Sequence, residues 1–413
     1  MKRGSNGPKQ ATQRGRMLAA MRGQAADRIP WVPRLDLWYN ARKHAGTLPW
    51  RFRDATLRDL TDELGWGYHA VIPNFKDLRS PEDEVHRALG IYNLRTMPVR
   101  TVLEGVRVEA RQHGDETFTE YVTPVGSVST GVLYDEAMRR AGITITHITE
   151  HAIKSPTDYR TVAYIFEAAR VVDKTDGYEE FRGDVGERGL AVGFLSLAGS
   201  PLHLLQRDLM PLQRFFYELH DHPKELARCA DSIGSYFRRL FDAAARCPAE
   251  VLLLGANYDA RVTYPPFFGA HIQPWLAELA NLLHEQGKYL LTHADGENRG
   301  LLDCYLGSRV DIADSVCPDP MTSLSLAEVR ERFAGRITIM GGIPSVSLLA
   351  DSMSDRQFAD YLDRFFESLG AGDHLILGVS DTTPPAAELD RLMEIAHRVE
   401  SFGPIGAATS EAP

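Results

Sequence analysis

The chain has 413 residues, of which 44% are hydrophobic and 25% charged, and its formal net charge is −10. These proportions are ordinary for a globular protein with a substantial core. The net negative charge and the lack of a long basic stripe argue against nucleic acid as the main partner. Apolar runs such as residues 191–198 are far shorter than the about 20 residues that span a bilayer, which argues against a membrane protein.

The ends of the chain and its cysteines bear on compartment and organisation. The four cysteines include no CxxC pair and form no disulfide framework, so we expect a cytoplasmic protein. The first sixteen residues are basic and lack the apolar stretch of a signal peptide. We therefore predict a disordered basic tail at residues 1–15, a single domain at 16–405, and a flexible tail at 406–413. No linker rich in Pro, Gly or Ser divides the central part.

In chain order, the first predicted strands are the apolar segments 29–37 and 68–72. Residues 106–134 then alternate apolar with polar side chains and turn at Gly114-Asp115. Such period-two alternation around a Gly-Asp turn predicts an antiparallel hairpin. We interpret this hairpin, at about 106–134, as an insertion between early units of the main domain that covers part of its mouth.

From about residue 189 onward, short apolar runs alternate with amphipathic helical segments. Such runs are typical of strands buried on both faces of a parallel sheet. Together with the two N-terminal segments they make eight, which favours an α/β fold of the (β/α)8 TIM barrel type. No GxGxxG motif follows any run, which argues against a nucleotide-binding doubly wound sheet. The six runs are residues 190–197, 251–254, 289–292, 310–313, 337–340 and 374–377.

Polar side chains follow several of these runs, and barrel enzymes place catalytic groups at the C-terminal ends of their strands. His293 is the strongest candidate: its imidazole would bind a metal or move a proton, or else hold the loop by hydrogen bonds. Asp295 and Asp259 would ligate Zn²⁺, orient His293, or cap a helix. Asp36 is a fourth catalytic candidate, at the end of the first run.

A second group of residues at the same strand ends is predicted to bind substrate. Arg261 would clamp a substrate carboxylate or only neutralise Asp259. The aromatic side chains would line a pocket for a small molecule or serve as packing. The predicted substrate-binding residues are Trp38, Tyr39, Asn257, Tyr258, Arg261 and Asp381.

Five motifs in this order resemble the uroporphyrinogen decarboxylase-like superfamily, and they cover nearly the whole chain beyond the basic tail. The resemblance implies a (β/α)8 barrel. It also implies one of two activities, porphyrinogen decarboxylation or zinc-dependent methyl transfer to a corrinoid protein. The motifs are RMLAAMRG at 16–23 followed by DRIP at 27–30, TPVG at 123–126, THADG at 292–296, GGIP at 341–344 and LGVSDTTPP at 377–385.

Departures from the family pattern separate these two activities. The true decarboxylases carry Arg-Gln-x-Gly-Arg after the first strand and end the last strand in Leu-Gly-His-Gly. This chain has RLDLWYNAR at 34–42 and LGVS at 377–380, which favours the methyltransferase branch. The zinc of that branch is held by His-x-Cys and a later Cys. Here His293, Asp295 and roughly Ser380 stand at those positions, so the thiolates are missing, and the tentative metal set is His293, Asp295 and Asp259.

The resemblance therefore implies a methyltransferase, or demethylase component, that moves a methyl group from a small, methoxylated substrate to a corrinoid (cobalamin) protein with the help of Zn²⁺. The partners it implies are that corrinoid protein, a small-molecule substrate and a second copy of the chain in a homodimer. One alternative is a metal-free decarboxylase or lyase that uses Asp36, His293 and Arg261. The other is a binding barrel without catalysis.

Overall fold

The chain enters the fold through helices. The structure, a computed structural model, describes residues 11–406, apart from the side chains at positions 81 and 82. The first helices are α1 (Gln13–Met21), α2 (Asp36–Ala45) and α3 (Leu57–Leu64). The Thr12 side chain caps α1 by accepting a hydrogen bond from the backbone N–H of Gly15. Helix α1 begins within the segment predicted as a basic tail, and residues 1–10 and 407–413 lie outside the described residues.

An antiparallel region follows. β1 (Val99–Leu103) pairs with β6 (Ala169–Asp173), which comes after α5 (Asp158–Ala168). The segment predicted as a hairpin holds three strands, and a fourth extends them into one antiparallel sheet. The first turn lies at Gly114-Asp115, as the sequence pattern indicates. The elements of this sheet and the helix within it are β2 (Arg107–His113), β3 (Glu116–Thr123), β4 (Gly126–Leu133), α4 (Glu136–Arg140) and β5 (His147–Glu150).

The C-terminal half forms a six-stranded parallel sheet in the order β7-β8-β9-β10-β11-β12. This confirms the six predicted runs and the α/β class. All residues of β8, β10, β11 and β12 are buried, as expected for strands covered on both faces. The strands are β7 (Gly193–Ser196), β8 (Val251–Ala256), β9 (Tyr289–His293), β10 (Ile312–Val316), β11 (Thr338–Pro344) and β12 (Leu375–Ser380).

Helices connect and cover these strands. Helices α9 (Pro223–Arg246) and α11 (Gln273–Glu285) carry three- and four-residue apolar spacing, and their residues Leu226, Ile233, Phe237, Leu276 and Leu279 are buried. Within residues 11–406, no helix combines the length and apolar character needed to cross a bilayer. The helices are α6 (Asp176–Val185), α7 (Pro201–Leu204), a π-helix (Leu205–Leu209), α8 (Leu212–Asp221), α9 (Pro223–Arg246), α10 (Pro265–His271), α11 (Gln273–Glu285), α12 (Leu302–Gly307), α13 (Leu326–Phe333), α14 (Asp355–Ser368) and α15 (Leu389–Phe402), with 3₁₀ turns at Trp50–Phe52, Pro81–Glu84, Arg87–Leu89, Gly186–Arg188 and Ser345–Leu348.

The two N-terminal segments predicted as strands, 29–37 and 68–72, are not regular strands. Pro30 and Pro33 lack the N–H that a sheet ladder requires, and α2 already begins at Asp36. The segments run along the open edges of the sheet and make single backbone hydrogen bonds. These bonds are Val32 N–H to Leu377 O (2.8 Å), Leu377 N–H to Pro30 O (2.9 Å), Gly67 N–H to Trp31 O (2.8 Å) and Val192 N–H to Ala70 O (3.1 Å).

Candidate functional site

His293 is the last residue of β9, and its side chain is almost fully buried. The carboxylate of Asp314, in the neighbouring strand β10, lies with Oδ2 2.6 Å from His293 Nδ1. The other Asp314 oxygen, Oδ1, is 3.6 Å from Nε2 of His69. A buried carboxylate on Nδ1 fixes the ring orientation and leaves Nε2 facing the C-terminal edge of the sheet.

Asp381, directly after β12, approaches that free nitrogen. Its Oδ1 is 3.1 Å from His293 Nε2 and accepts a 2.7 Å hydrogen bond from Arg34 Nη1. Nε of Arg34 donates in turn to Oδ1 of Asp36 at 3.1 Å. Thr382 Oγ1 lies 3.2 Å from the same Asp36 oxygen. Two predicted residues, Asp36 and Asp381, are therefore joined by a cation, Arg34, which the prediction did not include.

Asp295 completes the group from the loop after β9. Its Oδ2 accepts a 3.0 Å hydrogen bond from Asn257 Nδ2, and its Oδ1 lies 3.2 Å from Cys317 Sγ. Candidate ligand atoms of His293, Asp295 and Asp381 all lie within 4.8 Å of one another. The structure thus brings together two of the three predicted metal ligands, His293 and Asp295, and supplies Asp381 as the third.

Charges within this cluster shift the pKa values of its members. Burial by itself lowers the pKa of His293, but the carboxylates of Asp381 and Asp314 outweigh it and raise that pKa to about 10. Burial opposes ionisation of Asp314, yet its hydrogen bonds to His293 and His69 hold its pKa well below the usual range. Burial and the neighbouring Asp381 raise the pKa of Asp295. Asp295 forms no ion pair with any residue in the described part of the chain.

An irregularity in β10 allows consecutive residues to reach the same site. Successive side chains of a regular strand point to opposite faces. The pairing of β10 with β11 shifts register between Ala313 and Val316, and Ser315 has a φ of 61°. Asp314 thereby contacts His293 while Ser315 Oγ lies 3.3 Å from Asp381 Oδ1. Local bulges of this kind commonly re-aim side chains beside active sites.

The other acids of this region hold backbone. Asp259 accepts hydrogen bonds from the backbone N–H of Arg261 at 2.8 Å and of Glu297 at 3.2 Å. It is absent from the cluster of His293, Asp295 and Asp381, so the structure does not support it as a metal ligand. Glu297 accepts from the backbone N–H groups of Arg299 and Ser323. These carboxylates hold the loop by capping backbone N–H groups, which was one of the roles considered for Asp259 from the sequence.

Two of the six predicted substrate-binding residues, Trp38 and Tyr258, are packed in the core away from the cluster. Trp38 is fully buried and donates from Nε1 to the carbonyl oxygen of Ala387. Tyr258 is fully buried as well, with its hydroxyl 3.3 Å from Thr292 Oγ1. The Arg261 side chain is exposed. Trp38 and Tyr258 therefore serve as core residues, and the prediction that they line a substrate pocket is not supported.

Two cavities are connected to the cluster through hydrogen bonds of residues in their linings, and the linings themselves do not include His293, Asp295 or Asp381. The smaller, about 150 Å³, lies between α2 and the 68–74 segment and is lined by Arg34, Asp36, Tyr39 and His69, among others. The larger, about 850 Å³, lies beside β4, β5 and the π-helix and includes Arg207 in its lining. Nη1 of Arg207 lies 3.4 Å from Oδ1 of Asn257, whose amide nitrogen contacts Asp295. Hydrogen bonds thus link both cavities to the cluster.

Cys317, Arg34 and His69 are the site residues that sequence reasoning missed. Cys317 directly follows β10, at the edge where His293 and Asp381 also lie. That position was the available signal. Arg34 and His69 belong to the irregular segments, where no strand end marks them as candidates.

The comparisons with known proteins support the architecture. No family model and no curated protein matches the chain. A solved structure described as a methyltransferase from Methanosarcina mazei superimposes with a TM-score of 0.51 at 15% sequence identity. The match covers 95% of this chain and 99% of that chain. A likeness at this identity shows the fold alone, so the chain has a methyltransferase-like α/β fold over nearly its full length.

Proposed function

We propose that this chain is a methyltransferase, the demethylase component that moves a methyl group from a small, methoxylated substrate to a corrinoid carried by a partner protein. The observation that supports this proposal most strongly is the cluster of His293, Asp295 and Asp381 at the C-terminal edge of the parallel sheet. The fold likeness to a methyltransferase supports the same reading. The proposal includes membership of the uroporphyrinogen decarboxylase-like superfamily. It also includes closure of a barrel through the 29–37 and 68–72 segments, supported by their hydrogen bonds to both sheet edges.

The donor set fits a divalent metal. One imidazole nitrogen and two carboxylates are ligands that Zn²⁺ accepts, and oxygen-rich sets also suit Mn²⁺ or Fe²⁺. Asp314 on Nδ1 of His293 is the outer carboxylate that metal-binding histidines usually have. Asp295 is a half-buried carboxylate whose pKa is raised by burial and by Asp381. A cation beside it would offset both effects. We therefore assign the metal to His293, Asp295 and Asp381.

Each protein group has a distinct part in this scheme. A bound divalent metal supplies Lewis acidity at the oxygen from which the methyl group departs. Asp314 holds the His293 ring through Nδ1, so that Nε2, which faces Asp381, would be the nitrogen bound to the metal in place of its proton. Arg34 holds Asp381 and Asp36 in place, and because both carboxylates neutralise it, it adds no free charge to the pocket.

A reduced corrinoid held by the partner protein would supply the electron pair of the new cobalt–carbon bond. The carbon–oxygen pair departs with the substrate oxygen, which takes up a proton from water. The 150 Å³ cavity beside Asp36, Tyr39 and His69 has room for a ligand of about the size of benzene, and we assign the donor to it. We assign the approach of the corrinoid to the larger cavity beside Arg207.

The alternatives differ from this proposal in their need for metal. A decarboxylase or lyase that uses Asp36, His293 and Arg261 would require Arg261 to reach the substrate, whereas its side chain is exposed and Asp36 is paired with Arg34. A non-catalytic binding barrel would bind ligand without transferring a methyl group. Metal content and methyl transfer together separate the three functions.

Metal analysis of the purified protein and of His293→Ala tests the proposal. We expect about one divalent metal per wild-type chain and none in the variant, since the only nitrogen ligand is removed. His284→Ala is the matched control, because His284 forms a similar though half-buried histidine–carboxylate pair, with Asp311 at 2.9 Å, away from the cluster. Circular dichroism of each variant checks the fold.

Methyl transfer is then measured with reduced free cobalamin and a set of methoxylated aromatic donors, followed by the loss of the Co(I) absorption. Wild-type protein and His284→Ala should transfer the methyl group, while His293→Ala should lose at least about 100-fold in rate. A wild-type protein that binds no divalent metal and consumes no Co(I) with any donor contradicts the proposed function.

A further inference from the structure

The larger cavity, beside β4, β5 and the π-helix, combines a charged region with an apolar one. Its volume is about 850 Å³, which falls in the range of pockets that hold small organic ligands. The charged region consists of Arg87, from the 3₁₀ turn before β1, and of Arg207 and Asp208, from the π-helix. Short π-helical turns are rare and often occur at functional sites. Two cations and one anion therefore meet in this part of the lining.

Asp208 can neutralise only one of the two arginines. Its side chain is almost fully buried, and its Oδ1 accepts a 3.1 Å hydrogen bond from Nη1 of Arg87. Nε of Arg207 lies 3.6 Å from the other oxygen, which is beyond hydrogen-bond distance. Nη1 of Arg207 instead donates at 3.4 Å to Oδ1 of Asn257, a neutral amide. One positive charge therefore remains uncompensated in the charged region.

The two guanidinium groups also have N–H donors to spare. A guanidinium carries five of them, and among the described residues Arg87 and Arg207 each donate one hydrogen bond. The Nε atoms of both side chains are buried, and neither has a hydrogen-bond partner within residues 11–406. Buried donors without an acceptor are costly. Paired guanidinium donors fit an oxyanion such as a carboxylate, so the charged region is suited to bind one.

The other ionisable side chains of the lining are engaged elsewhere or lie in solvent. The Asp135 carboxylate caps α4 by accepting a 2.8 Å hydrogen bond from the backbone N–H of Met138. The N-terminus of that helix therefore partly offsets its negative charge. Nδ1 of His151 lies 2.9 Å from the backbone oxygen of Asp208, and His147 is exposed. An anion would therefore bind at the two arginines.

Much of the remaining lining is apolar and only half-buried. A ligand that covered these side chains would remove apolar surface from water, which favours binding. A bare ion such as inorganic phosphate would leave them exposed. The lining is therefore suited to a molecule with an anionic end and an apolar body. The apolar side chains are Leu133, Met138, Ile143, Ile145 and Ile148.

We infer that the larger cavity binds a small organic acid, with its carboxylate on Arg87 and Arg207 and its apolar body against β4, α4 and β5. This goes beyond the proposed function, because the acid is a further ligand and its binding needs neither the metal nor methyl transfer. The proposed function brings the corrinoid to the same cavity. A bound acid would therefore also slow methyl transfer, a consequence that rests on the proposed function.

Isothermal titration calorimetry with octanoate tests the site. Octanamide keeps the apolar chain without the charge, and inorganic phosphate keeps negative charge without the chain. We expect about one octanoate per chain, bound at least about tenfold more tightly than either control compound. Equal binding of octanamide would overturn the role of the arginines. Equal binding of phosphate would overturn the requirement for an apolar body.

Arg207→Gln removes the charge that Asp208 leaves uncompensated, and it should weaken octanoate binding by at least about tenfold. Arg330→Gln is the matched control. Arg330 is similarly buried, pairs with Asp373 at 3.2 Å and does not line the cavity. Octanoate binding that is unchanged in Arg207→Gln, or that falls equally in both variants, overturns the inference.

His293→Ala distinguishes this site from a carboxylate bound to the metal of the proposed function. Octanoate affinity should be the same in this variant as in wild-type protein, because the arginines are intact. Binding lost in His293→Ala and kept in Arg207→Gln would place the acid at the cluster and overturn the inference. Failure of the proposed function has a different readout, since it concerns metal content and consumption of Co(I).

A crystal structure of wild-type protein with 8-bromooctanoate covers the case in which Arg207→Gln does not fold. The anomalous signal of bromine locates the far end of the acid. We expect the carboxylate beside Arg87 and Arg207 and the bromine among the apolar side chains of the same cavity. Bromooctanoate bound only elsewhere on the protein contradicts the inference without any variant.

Discussion

The acidic side chains in the loops after β8 and β9 fall into two sets with different roles. Asp259 and Glu297 point at backbone N–H groups and hold the loop. Asp295 points at Cys317 and lies within the cluster of His293 and Asp381. A carboxylate satisfied by backbone N–H groups stabilises the fold. A carboxylate placed near another carboxylate has a raised pKa, because charge repulsion destabilises its ionised form. A bound cation can offset that repulsion.

The largest effect should come from Asp295→Asn. We expect metal affinity to fall by more than about 100-fold, beyond the range seen for outer-ligand changes. The metal-free protein should be as stable as wild type or slightly more stable, because burial raises the pKa of Asp295 and its ionised form is held at a cost. Metal titration and urea unfolding of the metal-free protein measure the two quantities. Unchanged metal affinity would show that Asp295, like Asp259 and Glu297, is not a metal ligand.

Asp314→Asn tests the carboxylate behind His293. The amide oxygen can still accept from Nδ1, but the negative charge that favours metal binding at Nε2 is lost. We expect metal affinity to fall about 10- to 100-fold. Asp311→Asn is the matched control, since Asp311 immediately precedes the same strand and pairs with His284 at 2.9 Å. Equal losses in both variants would show that the effect is not specific to the cluster.

Asp259→Ala tests the acidic side chains that hold the loop through backbone N–H groups. Loss of its two hydrogen bonds to the backbone should lower the free energy of unfolding by about 1–2 kcal/mol. Metal content should stay as in wild type. Urea denaturation and metal analysis on the same preparation check both expectations. A variant that keeps its stability but loses its metal would reverse the assignment of Asp259 and restore the sequence-based prediction.

The smallest effect concerns a buried histidine without carboxylate partners. Burial, reinforced by Arg207, lowers the pKa of His203 to about 3, and its Nδ1 accepts from the Gly199 N–H. A depressed histidine pKa means that the unfolded chain binds the proton first, so its contribution to stability is lost as pH falls below about 6.5.

His203→Asn keeps an acceptor near Nδ1 and removes the titration. Between pH 7 and pH 6, wild-type protein should lose about 0.7 kcal/mol more stability than this variant. Unfolding free energies at several pH values give the comparison, with His220→Asn, an exposed histidine, as the control. Parallel pH profiles of wild type and His203→Asn would contradict the assignment.

Local sequence patterns predicted much of the C-terminal half of the fold. The six apolar runs and the helical spacing between them lie where β7–β12 and helices such as α9 and α11 form, because burial on two faces leaves a continuous apolar signature. The prediction of regular strands at residues 29–37 and 68–72 was wrong, and for the first segment the reason is equally local. Pro30 and Pro33 interrupt the ladder, although the apolar side chains around them resemble those of a strand. The single-domain division stays a prediction.

The sequence by itself determined that His293 ends a buried strand and that Asp295 lies in the loop after it, since the apolar run and the polar loop are adjacent in the chain. It could not decide which acids meet them. Asp259, Glu297 and Asp381 carry the same carboxylate, and only the tertiary structure shows that Asp381 reaches Nε2 of His293 while the others cap backbone. Cys317 depends on the tertiary structure most of all. A register shift in β10 places it beside Asp295, and that shift depends on strand neighbours distant in sequence.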